Sequence, residues 1–119
     1  MEPAYRYKVF IERVIDGDTV VGVVQLGFHV TLRQSRLRLY GINTPELHSS
    51  VESERTAAHA AKERLRGLIE GKHVVVEFAK EREKYGGFLG TIFVDGLPSG
   101  METVNKLLVA EGFAKPYKP

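Results

Sequence analysis

Two short polar segments carry the side chains best suited to chemistry, Asp16-Gly17-Asp18-Thr19 and Asn43-Thr44-Pro45-Glu46, and Arg38 lies on the predicted strand that leads into the second. Hard divalent cations prefer carboxylate, amide and carbonyl oxygens as ligands. Phosphodiester hydrolysis needs a metal ion or an arginine on the phosphoryl oxygens, and a carboxylate that orients or deprotonates the attacking water. Residue types present here meet both needs, although either segment alone is more typical of an ordinary turn.

The pattern of apolar residues predicts a mainly β domain of the α+β class. A hairpin over residues 5–24 is predicted from two apolar runs separated by the Asp-Gly turn, and a third strand of alternating pattern follows it. On that strand Arg36 and Arg38 occupy the face opposite Leu37 and Leu39. A helix is predicted next, from a Ser49–Glu52 capping box to Gly71. It is followed by two strands, Val74–Phe78 and Phe88–Val94, which are separated by a charged loop, Lys80–Gly87. A second helix is predicted at about Met101–Glu111 and is ended by Gly112.

Three strands, a helix, two strands and a helix in that order predict an OB-fold, a five-stranded partly open barrel with about two helices. The chain has 119 residues, the size of one domain, so residues 1–119 are expected to form a single OB-fold domain. This fold serves binding proteins and enzymes alike, and therefore it does not choose a function.

The composition of the chain narrows the possible chemistry. The chain has no cysteine, which excludes a disulfide framework, a thiolate metal site and a cysteine nucleophile, and its histidines show no zinc-ligand spacing. An EF-hand is excluded, because the twelfth position from Asp16 is Gly27, where a glutamate is required.

The net charge is only +2, so any nucleic-acid surface must come from local clustering. With no apolar leader or membrane-length segment, the chain is expected to be intracellular as given, or secreted if a signal segment has been removed.

Four groups of residues, taken in order, resemble the staphylococcal nuclease (thermonuclease) family from about Val9 to Lys115. They are Asp16-Gly17-Asp18-Thr19-Val20, then Arg36-Leu37-Arg38-Leu39-Tyr40-Gly41-Ile42-Asn43-Thr44-Pro45-Glu46, then Lys84-Tyr85-Gly86, and finally Val104-Asn105 with Gly112-Phe113-Ala114. The resemblance implies an SNase-like OB-fold endonuclease that binds one Ca²⁺ ion, with other divalent cations as alternatives. It implies hydrolysis of DNA or RNA with little sequence preference, leaving 3′-phosphate ends. The partners are then nucleic acids rather than membranes, and the protein is expected to be a monomer.

The resemblance also implies roles by position. Asp18, Asn43 and the Thr44 carbonyl correspond to the calcium ligands. Glu46 corresponds to the general base, or to the anchor of the attacking water, and Arg38 to the first of two arginines that bind the phosphate. The residues implied in substrate binding are Lys84 and Tyr85, with Arg82 of the same loop as a further cation.

Two positions depart from the family pattern. Asn43 stands where the family usually has aspartate, which removes one formal negative charge and predicts weaker calcium binding. Gly87 stands where the family usually has its second catalytic arginine, and the loss of such a charge lowers a rate on the order of 10³-fold. The candidates to supply that charge from the charged loop are Lys80, Arg82 and Lys84, although a solvated loop is the favoured interpretation. Arg36 is expected to be a poorer replacement, because it lies two residues further than Arg38 from the second polar segment.

Two alternatives to a nuclease stay open. One is a catalytically impaired OB-fold that binds nucleic acid without cleaving it, which Asn43 and Gly87 favour. The other is a protein-interaction OB domain, which leaves Asp18, Arg38 and Glu46 without a purpose.

Overall fold

The computed structural model describes residues 5–82 and 87–117, with the backbone alone at Glu81 and Arg82. Within this part of the chain the strands are β1 (Tyr5–Asp16), β2 (Thr19–Gly27), β3 (Val30–Leu39), β4 (Ile42–Asn43), β5 (His73–Arg82), β6 (Phe88–Phe93) and β7 (Lys115–Pro116). The helices are α1 (Glu52–Ile69) and α2 (Val104–Ala110). Neither of these described helices is long and apolar enough to span a membrane.

Five of the strands form a closed barrel in the order β1-β2-β3-β6-β5. All neighbours in the barrel are antiparallel except β3 and β6, which run parallel. That parallel contact is short, extending from Leu37 opposite Phe88 to Leu39 opposite Gly90. With α1 between the third and fourth barrel strands, this mainly β architecture is an OB-fold, and the predicted fold class is confirmed.

The core fills the barrel and the space beneath α1. Alternate strand residues point inward, and the following are no more than 3% exposed: Val9, Ile11, Val20, Leu37, Val76 and Ile92. The buried stripe of α1 consists of Ala58, Ala61, Leu65 and Ile69. Burying one valine, leucine or isoleucine side chain contributes roughly 1.5–3 kcal/mol, so this stripe holds α1 firmly against the barrel end that carries the first polar segment.

The predicted Ser49–Glu52 capping box does not form. α1 begins at Glu52 after Val51, which provides no side-chain cap. Ser49 Oγ instead accepts a hydrogen bond from Val51 N at 3.1 Å and donates one to Glu54 Oε2 at 2.7 Å. The serine is satisfied by a carboxylate inside the helix, and therefore it orders the preceding loop rather than capping the helix end.

Two element boundaries also differ from the prediction. α2 begins at Val104 rather than near Met101, because the Thr103 side chain accepts a hydrogen bond from the backbone N–H three residues later. β5 continues past Phe78 to Arg82, where it pairs with the first residue of β6 across an irregularity in register. The predicted charged loop is therefore shorter, because cross-strand pairing outweighs the polar composition of this segment.

Candidate active site

The turn between β1 and β2 is pressed against α1 and the second polar segment. Within the turn, Asp18 N donates a hydrogen bond to Asp16 Oδ1 at 3.1 Å. A Cβ added to Gly17 would lie 2.7 Å from Ala61 Cβ and 3.0 Å from Thr44 Cγ2, closer than packed side chains tolerate. Glycine is required here by close packing, and the packing brings the two polar segments together.

Asp18 is the buried carboxylate of the site, 6% exposed. Its Oδ2 accepts a hydrogen bond from Thr44 N at 3.2 Å, and its Oδ1 accepts one from Thr19 Oγ1 at 3.1 Å. Its backbone carbonyl accepts a hydrogen bond from Leu39 N at 2.8 Å, which ties the turn to the end of β3. These contacts fix the carboxylate between the two polar segments.

The pKa of Asp18 is raised from its usual 3.8 to about 6, first by burial and then by the Asp16 carboxylate beside it. The Arg38 guanidinium and the Thr44 N–H oppose this shift, because both stabilise the charged form. A cation at this position would relieve the unfavourable burial of the charged carboxylate. The electrostatics of Asp18 therefore suit a metal ligand.

Arg38 lies between Asp18 and Asn43. Its Nη2 donates a hydrogen bond to Asn43 Oδ1 at 2.8 Å and lies 3.6 Å from Asp18 Oδ2. The Tyr117 ring centroid is 5.9 Å from the guanidinium carbon, within the range of a cation–π contact. Tyr117 is held there because its N donates to Gly41 O at 2.8 Å, beside the short β4–β7 pairing. Two oxygens expected to bind a cation thus converge on one cationic nitrogen.

The loop that carries Glu46 is anchored by Glu54, on the first turn of α1. Glu54 Oε1 accepts a hydrogen bond from Glu46 N at 3.4 Å, and Glu54 Oε2 accepts one from Ser49 Oγ at 2.7 Å. The pKa of Glu54 is lowered, first by the Ser49 hydroxyl and then by the Glu46 N–H. Sequence reasoning missed this residue. Its position could have indicated this role, because the first turn of a helix favours a carboxylate and lies close to the N–H and O–H groups of the preceding loop.

Asn105 positions the chain segment that precedes Asn43. Its Nδ2 donates hydrogen bonds to Tyr40 O at 2.8 Å and Gly90 O at 3.1 Å. Its Oδ1 accepts a hydrogen bond from Ile92 N at 3.0 Å, and the residue is 5% exposed. One buried amide therefore joins α2 and β6 to the end of β3, which gives the Val104-Asn105 pair of the sequence motif a structural role.

One cavity of about 370 Å³ gathers the predicted metal, phosphate and water residues. Its lining includes Asp18, Arg38, Asn43, Thr44 and Glu46, together with Asp16, Thr19, Arg36 and His48. Asn43 and Glu46 are exposed within it. Lys84 and Tyr85 lie outside the residues that the structure describes, and so does the side chain of Arg82.

Arg36 lines this cavity beside Arg38, although it lies two residues further along β3 from the second polar segment. Alternate residues of a strand share a face and are roughly 7 Å apart, a distance that an arginine side chain can span. Two arginine residues therefore line the cavity.

The oxygen donors of the cavity suit a hard cation. Among the residues at 5–82 and 87–117, no group of three or more His, Asp or Glu side chains is arranged to hold a metal ion. The expected ligands instead combine the carboxylate of Asp18 with the amide oxygen of Asn43 and the carbonyl of Thr44. These are oxygen types that Ca²⁺ accepts, and a single carboxylate is expected to bind it weakly.

A comparison with known families matches residues 36–119 to the family described as staphylococcal nuclease homologue. A comparison with curated proteins gives no match. The matched range covers more than half of the chain and includes Arg38, Asn43, Thr44 and Glu46, whereas Asp18 precedes it. This chain belongs to the family of staphylococcal nuclease homologues.

Proposed function

We propose that this chain is a Ca²⁺-dependent phosphodiesterase, an endonuclease that hydrolyses DNA or RNA with little sequence preference and leaves 3′-phosphate ends. The observation that carries the proposal is one cavity that holds a buried carboxylate, a guanidinium and an exposed carboxylate, those of Asp18, Arg38 and Glu46. These residue types supply what phosphodiester hydrolysis needs, a metal ion or an arginine on the phosphoryl oxygens and a carboxylate for the water. Membership of the family supports a nuclease-type fold.

The Arg38 guanidinium is suited to the phosphoryl group. It is planar and permanently charged, and its N–H groups match the spacing of phosphate oxygens. Its hydrogen bond to Asn43 has a neutral acceptor, and a phosphoryl oxygen would offer an anionic acceptor in its place. The contact strengthens further as negative charge accumulates on those oxygens in the transition state.

The Glu46 carboxylate is suited to the attacking water. It is exposed in the cavity while its backbone is held by Glu54, so the carboxylate is available and its loop is anchored. Glu46 accepts a proton from the water as the water oxygen bonds to phosphorus. The bond from phosphorus to the 5′ oxygen breaks, that oxygen takes up a proton from solvent water, and the phosphate stays on the 3′ side.

Asp18, Asn43 and the Thr44 carbonyl would hold the Ca²⁺ ion. When bound, the ion would neutralise negative charge on the phosphoryl oxygens. The proposed ligands are held in register by the hydrogen bond from Thr44 N to Asp18 Oδ2, which joins the two polar segments directly.

A nucleic-acid-binding domain without catalysis is the second candidate, and Gly87 favours it. Gly87 brings no cation to the site, and a Cβ at this position would lie 2.9 Å from Arg36 O. An arginine therefore cannot be introduced at this position unless the backbone of β3 or β6 moves. Gly87→Arg is therefore expected to disturb this packing as well as to add a charge.

Cleavage and binding assays separate the two candidates. The purified protein is incubated with 5′-labelled single-stranded DNA or RNA in Ca²⁺ or in excess chelator, and the product ends are identified. Cleavage that requires Ca²⁺ and leaves 3′-phosphates supports the nuclease. Tight, salt-sensitive binding without cleavage overturns it and favours the binding domain. Cleavage that persists in chelator contradicts the proposed metal dependence.

A further inference from the structure

Arg36 and Arg38 face the same side of β3, next to the site. Arg36 pairs with Val21 and Arg38 with Thr19 along the β2–β3 ladder, without an irregularity between the two pairs. Alternate residues of a regular strand point to one face. Both arginines line the cavity that holds Asp18 and Glu46.

The two arginines differ in their present partners. Arg38 is engaged by Asn43 and by the Asp18 carboxylate. For Arg36, no hydrogen bond or ion pair of the side chain is found among the described residues. Within the described part of the chain, its guanidinium is therefore available to an anionic ligand in the cavity.

Gly87 and Arg36 are packed against each other. The parallel pairing of Leu37 with Phe88 makes them neighbours across β3 and β6. Gly87 is buried, and a Cβ added to it would lie 3.4 Å from both Cβ and Cγ of Arg36, in addition to its contact with Arg36 O. The aliphatic part of the Arg36 side chain thus packs against the Cα of Gly87, on the side where other residues carry a Cβ. The close contact that excludes a side chain at position 87 is the one with the Arg36 carbonyl, and the Arg36 stem lies beside it.

We propose that Arg36 is a second phosphate-binding guanidinium of this site, and that it contacts the oxygens of the phosphoryl group that Arg38 also binds. The inference rests on the proposed function and deepens it. In the family pattern, the second arginine is at the position of Gly87. In this chain, Arg36 on β3 then supplies that positive charge. Two guanidinium groups on one phosphoryl group stabilise the charge that develops in the transition state.

The test compares Arg36→Ala and Arg36→Lys with Arg33→Ala, which removes an exposed arginine of the same strand that does not line the cavity. Cleavage of single-stranded DNA in Ca²⁺ is measured as kcat and KM. For Arg36→Ala we expect kcat to fall on the order of 10²–10³-fold, with a much smaller change in KM. Arg36→Lys should recover part of the loss, and Arg33→Ala should keep the native kcat. Equal kcat values for Arg36→Ala and Arg33→Ala overturn the proposal while leaving the nuclease intact.

A binding measurement keeps the proposal testable if the native chain does not cleave. The probe is a 3′-phosphorylated deoxytrinucleotide, which carries the proposed product end, titrated in Ca²⁺ against each folded variant. If the native chain is inert and Arg36→Ala alone lowers the affinity tenfold or more, the proposed nuclease fails and the phosphate role of Arg36 stands. If Arg36→Ala and Arg33→Ala bind the probe equally in an inert protein, both proposals fail.

Discussion

At the scale of single residues, the site holds Asp18 in surroundings that disfavour its charge. Its pKa is raised to about 6, so between pH 3.8 and about pH 6 the folded protein binds more protons at this group than the unfolded chain does. Stability therefore falls as the pH rises through that window, and the loss is complete above it. The shift corresponds to about 3 kcal/mol of destabilisation at neutral pH. A binding site commonly carries such a cost, which the ligand offsets.

Replacing Asp18 with asparagine should stabilise the metal-free protein at pH 7. The amide keeps an oxygen for the Thr44 N–H and its NH₂ group can donate to Thr19 Oγ1, while the buried charge is removed. We expect a gain of up to about 3 kcal/mol at pH 7 and little change near pH 4, measured by urea unfolding in chelator. The same gain at both pH values would contradict the electrostatic explanation.

Glu54 is expected to act as a positioning residue for Glu46. Glu54→Ala removes the two oxygens that accept from Glu46 N and Ser49 Oγ, so kcat for Ca²⁺-dependent cleavage should fall roughly tenfold. The melting temperature should change little, because this side chain is only partly buried and Arg55 still donates to Ser49 O. The matched control is Glu52→Ala, which removes an exposed carboxylate from the same helical turn. A similar kcat for the two variants would show that Glu54 does not position the loop.

At the scale of elements, the contact between the β1–β2 turn and α1 aligns the two polar segments. Gly17→Ala would place a methyl group 2.7 Å from Ala61 Cβ, so the turn must move away from the helix. We expect a loss of about 1–3 kcal/mol in the free energy of unfolding. The control is Gly67→Ala on the open surface of α1, which meets no atom within 4 Å and should stabilise the protein by about 0.5–1 kcal/mol. Equal effects of the two substitutions would refute the packing explanation.

The buried amide of Asn105 joins three elements, and its loss should be among the most destabilising changes in the chain. Asn105→Ala leaves the Ile92 N–H and the Tyr40 carbonyl unpaired, and each such group costs about 1–3 kcal/mol. Urea unfolding should show a loss of about 3 kcal/mol or more. Lys106→Ala, at the next and exposed position, should change stability by less than about 0.5 kcal/mol. A loss for Asn105→Ala as small as that of the lysine variant would contradict this role.

At the scale of the whole molecule, local sequence patterns predicted the helices and strands but not the residues at which they begin and end. Alternation of apolar residues predicted the barrel strands, and the positive φ of Gly71 and Gly112 fits the predicted helix ends. The cap of α1 was predicted wrongly, because the Ser49 hydroxyl has two possible partners and only the packed loop selects Glu54. The end of β5 depends on pairing with β6, a contact between segments that composition alone does not specify.

The sequence predicted those residues of the candidate site whose own side chains would bind the metal, the phosphate or the water. Asp18, Arg38 and Glu46 are of that kind, and the structure brings them to one cavity. The contact of Arg36 with Gly87 could not be predicted, because it depends on the parallel pairing of β3 with β6. Glu54 was missed because its contribution is made through the backbone of another residue.

The central claim is that the cavity around Asp18, Arg38 and Glu46 hydrolyses phosphodiester bonds, and the rate of Ca²⁺-dependent cleavage by Glu46→Gln tests it most directly. The control is Glu12→Gln, an equal change at an exposed position of β1 outside the cavity lining. We expect Glu46→Gln to lower kcat on the order of 10²–10⁴-fold, because the proton acceptor is lost, while Glu12→Gln retains the native rate. Cleavage by Glu46→Gln at the native rate would contradict the assignment of this cavity as the active site.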